Sequence, residues 1–239
     1  MRSLLVVGPL LAVVVGCATA SPPSLVGDDD VPDPDASSVD ARDIDARIID
    51  APAFQTITLS QTASNTVQAQ ASVACTDTAT GVIRENSYYR VFRLADFGIT
   101  RPFTATMVSF GVELAGAGNG LPSQNMQVKL YTLNGPLSLA GLAPIAGNNV
   151  VVPNSMISMI NVPLVPAPRL LQSNETLVAE LFIPDGMALA NVLFVGANNG
   201  TETATGYLRA PLCGITEPVT FNSIGFPQVK LILTVTGTY

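Results

Sequence analysis

The chain has no histidine and no tryptophan, three cysteines and two lysines in 239 residues. The absence of histidine removes the Ser-His-Asp triad, the Cys-His nucleophile pair and the common histidine-containing zinc sites. The absence of tryptophan removes the most favoured stacking platform for sugars. Lys129 and Lys230 are the only lysines, so long helices with charged faces are not expected, and no basic run exists to track a nucleic-acid backbone. No G-x-x-x-x-G-K phosphate loop and no G-x-S-x-G nucleophile elbow occurs. The glycines of Gly116-Ala117-Gly118-Asn119-Gly120 are followed by Leu121, which interrupts a dinucleotide pattern, and they read as a turn. No cofactor is expected.

What is present begins with Arg2 and an apolar run, Leu4 to Val15, that ends in Val14-Val15-Gly16-Cys17. About a dozen apolar residues are too few for a hydrocarbon core that needs roughly 20. The tetrapeptide resembles the lipobox of a bacterial lipoprotein. The resemblance implies removal of residues 1–16 as a signal peptide and a lipid on Cys17, with the membrane as a partner through that lipid. Ala18 stands where many such lipoproteins carry an aspartate, so the resemblance also implies an outer-membrane destination within the cell envelope.

Residues 18–53 carry nine aspartates against Arg42 and Arg47, and five prolines. Asp-Ala recurs at Asp35, Asp40, Asp45 and Asp50, a spacing of five. That period matches neither helix nor strand, so the carboxylates form no continuous face. The segment reads as a disordered, self-repelling tether spanning roughly 30–36 Å. Calcium binding by Asp28 to Asp35 is the alternative, but no EF-hand spacing supports it. The remaining residues, 54–239, hold nine acidic and eight basic side chains. The low isoelectric point therefore belongs to the tether.

Residues 54–239 suffice for one all-β domain. Val67, Ala69, Ala71 and Val73 alternate with polar residues, as do Val229, Leu231, Leu233 and Val235, although Ile232 breaks the second series. Further strands are expected at Ser87 to Leu94, Thr104 to Leu114, Met126 to Leu133, Thr176 to Ile183, Asn191 to Gly196 and Thr205 to Arg209, separated by Gly, Asn and Pro clusters. Frequent short strands predict a single antiparallel β-sandwich of jelly-roll type. Val162 to Pro168 is a poor central strand because its prolines cannot donate to a ladder. It reads as an edge or a crossover. The segments around Phe110, Phe182 and Phe194 read as core.

With Cys17 assigned to lipid, Cys75 and Cys213 are left either to pair, as an exported protein permits, or to stay as separate buried thiols. Glu113 sits in an apolar strand and is expected to form a buried ion pair with Arg90. Tyr88, Tyr89, Tyr131 and Tyr207 are the candidate ligand contacts, each weighed against a packed ring with a satisfied hydroxyl. Nine scattered acids do not single out the two that a histidine-free hydrolase would need.

ENSYYRVF (85–92), VSFGVE (108–113), VKLYTL (128–133), GYLRAPLCGITEP (206–218) and IGFP (224–227) together resemble an uncharacterised family of secreted bacterial β-sandwich domains. The resemblance spans about Phe54 to Tyr239, supports pairing Cys75 with Cys213, and carries no catalytic residue. The expectation is a non-catalytic binding or structural module at the envelope, with a glycan or protein ligand and no nucleic acid. The alternative is a carboxylate-dependent hydrolase.

Overall fold

The computed structural model describes residues 54–239. The tether and Cys17 lie outside the described residues. Thirteen strands and five short 3-10 turns make up the secondary structure, with no α-helix among the described residues. The first sheet orders β1 (Thr56–Leu59), β13 (Leu233–Thr238), β3 (Thr104–Gly116) and β6 (Ser155–Pro163), with β8 (Val192–Val195) also paired to β3. The second orders β11 (Ile215–Thr220), β10 (Tyr207–Ala210), β2 (Asn86–Arg93), β7 (Thr176–Ile183), β4 (Ser123–Leu133) and β5 (Leu142–Pro153). All pairings are antiparallel. The four-strand orders β1-β13-β3-β6 and β2-β7-β4-β5 are those of a jelly roll, whose chain passes between two open sheets. The segment from β8 to β12 is inserted before the last strand. Its short strands β9 (Ala197–Asn198) and β12 (Lys230–Leu231) pair with each other.

Pleat parity explains the core. Tyr88 and Phe92 of β2, Val128 and Leu130 of β4, Ala179 and Leu181 of β7, Val108 and Phe110 of β3, and Leu233 and Val235 of β13 form one buried cluster. Each strand contributes alternate residues. β7 spans the residues expected from sequence, and β2, β3 and β4 differ at their ends by one to three residues. β6 closes an edge of the first sheet and ends at Pro163, so the proline-rich stretch begins where ladder donors are no longer needed. Asn119 (φ 55°) and Gly120 (φ 71°) turn the chain between β3 and β4, in the left-handed region these two residue types tolerate.

Three expectations about strands and ion pairing are corrected. Val67 to Val73 is not a strand, because its backbone groups are satisfied one at a time. Gln68 N donates to Ala197 O at 2.9 Å, Gln70 N and Ser72 N donate to the Glu113 carboxylate at 2.6 and 3.0 Å, and Val73 O accepts from Tyr88 Oη at 2.7 Å. Nor is 229–235 one strand: it divides at Ile232, the residue that breaks the alternation. Ile232 N donates to Gly196 O at 3.0 Å and its carbonyl accepts from Gly111 N at 3.1 Å, so the chain changes partners there.

The third correction is the Arg90–Glu113 pair. Arg90 shares the parity of Tyr88 and Phe92 and points between the sheets, whereas Glu113 has the opposite parity to Phe110 and Val112 and points away from the core. Arg90 Nη2 instead meets Glu202 Oε2 at 2.9 Å, and Lys230 Nζ lies 3.3 Å from Glu202 Oε1. The guanidinium also donates to the carbonyls of Leu231 and Ala204. It has no solvent exposure. Burial disfavours its charged form, and Glu202 opposes that effect.

Cys75 and Cys213 form a disulfide across 138 residues, with Cα atoms 6.0 Å apart. It joins the segment before β2 to the turn after β10.

Candidate functional site

The outward face of the second sheet gathers the polar and aromatic residues that the core excludes. In the register of five adjacent strands, Tyr207, Tyr89, Glu180, Lys129 and Gly147 form one row. Arg209, Ser87, Phe182, Gln127 and Asn149 form the next. Val91, Val178, Tyr131 and Pro144 form a third, beside a bulge between Leu130 and Tyr131. Phe182 is thus on the outer face rather than in the core. Its ring lies 3.9 Å beneath Lys129 Nζ, a cation–π contact.

Several outward residues are buried, including Ser87, Tyr89, Val178 and Glu180. The β4–β5 connection covers part of this face. Leu139 N donates to Glu217 Oε2 at 3.0 Å, yet β5 and β11 are opposite edges of a six-stranded sheet. Flat strands about 4.8 Å apart would put those edges roughly 24 Å from each other. The contact therefore needs the connection to fold over the sheet. Gly135, Pro136 and Leu137 accordingly line one depression together with Val91, Arg93, Thr176 and Tyr207.

On this face Glu180 accepts from Tyr89 Oη at 3.1 Å on one oxygen and from Tyr131 Oη at 2.5 Å on the other. Lys129 Nζ stands 3.9 Å from the second oxygen. Burial, followed by the Glu180 carboxylate, pushes both tyrosine hydroxyls well above the ordinary phenol range. They remain protonated donors that hold the carboxylate in place. Beside this cluster lies an open depression of about 350 Å³, lined by Gln127, Lys129, Tyr131, Pro144, Gly147 and Asn149, with Ala146 and Asn148 completing it. That volume is at the lower end of the roughly 300–1,000 Å³ typical of ligand sites.

The four candidate tyrosines separate by parity. Tyr88 points into the core and is closed by its bond to Val73, so it is not a ligand contact. Tyr89 is outward but 1% exposed, and its hydroxyl donates to Glu180. Tyr131 and Tyr207 are partly exposed and line depressions. Lys129, Glu180, Gln127 and Asn149 were not singled out from sequence, because only cross-strand register brings them together. Their one visible signal was Lys129, half of all the lysine in the chain.

Asp77 and Asp185 both flank the Arg84 guanidinium, at 3.9 and 3.2 Å, so a cation stands between them, while Glu85 is held by Arg209 at 2.8 Å and Glu202 by Arg90 and Lys230. Glu85 and Glu180 share the outer face, but Glu180 lies opposite Tyr89, four residues or roughly 13 Å along the strand from Glu85. A glycosidase pair stands about 5–9.5 Å apart. No cluster of three or more metal-ligating side chains occurs among the described residues.

No family model and no curated protein sequence matches the chain. Among solved structures, the chain is similar to the cysteine protease and lectin-like domains of Cwp84, a surface layer associated protein of Clostridium difficile, with a TM-score of 0.45 and 12% identity. The likeness covers 65% of this chain and 32% of that one, so the chain spans about a third of that protein's length.

Proposed function

We propose that the protein is a non-catalytic binding module of the cell envelope, held there by lipid on Cys17, which takes a glycan in the depression beside Tyr131. One observation carries this reading: a shallow apolar floor is surrounded by hydrogen-bonding groups whose capacity is only partly used. Lys129 Nζ has no hydrogen-bond partner among the described residues. Gln127 Nε2 donates to Asn149 Oδ1 at 3.1 Å, which leaves Gln127 Oε1 as an acceptor and the Asn149 amide as a donor. Gly147 adds no side chain, so a sugar ring can approach the backbone of β5 between Pro144 and Asn149. The disulfide supports an oxidising compartment, in keeping with the envelope.

A glycan array probed with the full chain tests the reading alongside two variants. Tyr131→Ala removes both the ring and a hydroxyl held by Glu180, and is expected to weaken binding at least about 10-fold, the equivalent of 1.4 kcal/mol. Gly147→Leu fills the depression from an exposed edge strand, where an added Cβ meets only ordinary contacts near 3.9 Å. It is expected to abolish binding without lowering the melting temperature. Binding unchanged in both variants would sink the proposal.

A further inference from the structure

We infer that the ligand of this depression is an electrically neutral glycan rather than an acidic or basic polymer. The inference rests on the depression being the binding site. The ionised groups of the outer face and its cover balance: Lys129, Arg93 and Arg209 against Glu85, Glu180 and Glu217. Arg209 is occupied by Glu85 at 2.8 Å, and the Glu217 carboxylate accepts from the Leu139 backbone at 3.0 Å. The field over the face therefore favours neither sign.

Within the depression the balance is local. Lys129 Nζ is 3.9 Å from Glu180 Oε2. A ligand carboxylate drawn to the ammonium would stand close to the Glu180 carboxylate, which is 4% exposed and weakly screened by solvent. A ligand ammonium drawn to Glu180 would meet Lys129. Either sign of ligand charge thus faces a like charge immediately behind its partner.

A hydroxyl escapes this opposition because it both donates and accepts. The Lys129 ammonium and the Asn149 amide nitrogen supply donors, and Gln127 Oε1 supplies an acceptor. These groups surround the apolar surfaces of Tyr131, Pro144 and Ala146, which suit the C–H face of a pyranose. Vicinal hydroxyls on an uncharged ring fit the set.

The test probes the full chain on an array of neutral, uronate-containing and sulfated glycans at low and at near-molar salt. Binding to neutral glycans is expected, changing by less than about twofold with salt because no ion pair is screened. Binding confined to acidic glycans and falling more than about 10-fold with salt would overturn the inference. Silence on every glycan would overturn it together with the proposed function. Gly147→Leu separates the failures. If an acidic glycan binds and this variant abolishes it, only the neutral class is wrong; if binding survives, the depression is wrong as well.

Discussion

Arg90 is the largest fully buried side chain among the described residues, and its charge is tolerated because two backbone carbonyls and Glu202 surround it. Removing one partner strands the other without solvent, a loss of about 3–5 kcal/mol for a buried pair. Glu202→Ala is therefore expected to be strongly destabilising. In double-mutant cycles with Arg90→Met, Glu202→Gln should couple by about 1–3 kcal/mol and Glu113→Gln by less than about 0.5 kcal/mol. Chemical denaturation checks both cycles, and equal coupling would contradict the pairing described. The sequence made Glu113 conspicuous because an acid in an apolar strand invites a partner. Its true partners were illegible, since they are backbone amides of Gln70 and Ser72, more than 40 residues away. Glu202, in a polar loop, gave no sign of being the counter-ion.

At the scale of elements, two glycines mark the closest approach of the inserted segment to the first sheet. Gly196 N donates to Gly111 O at 2.7 Å. A Cβ on Gly196 would stand 2.6 Å from the Gly111 carbonyl carbon and 2.9 Å from Val112 N. Backbone cannot yield as a flexible side chain can, so Gly196→Ala is expected to cost about 2–3 kcal/mol. Gly147→Ala, on an exposed edge, should stay within about 0.5 kcal/mol. Comparable thermal shifts for the two would refute this contrast. The break at Ile232 belongs to the same junction, and there the sequence did carry a trace: an apolar residue in a polar phase marks where the strand changes partner. Val67 to Val73 shows the converse. Its alternation is real, but each residue answers to a different neighbour, so period alone imitates a strand.

At the scale of the molecule, the Cys75–Cys213 bridge closes a loop that contains most of both sheets. In the chain-entropy account a loop of this length stabilises the fold by about 5 kcal/mol, acting on the unfolded chain. The Cys75→Ala/Cys213→Ala variant should lower the urea midpoint accordingly, and an unchanged midpoint would contradict a stabilising role. The all-β class and the exclusion of histidine chemistry were legible in the chain, because composition and the two-residue pleat are local properties. The order of strands in each sheet, the partner of Arg90 and the assembly of Tyr131, Lys129, Glu180 and Gln127 on one face were decided only by tertiary structure. The physical reason is register: a pleat tells which residues share a face of one strand, and only the pairing of strands distant in the chain tells which faces become one site.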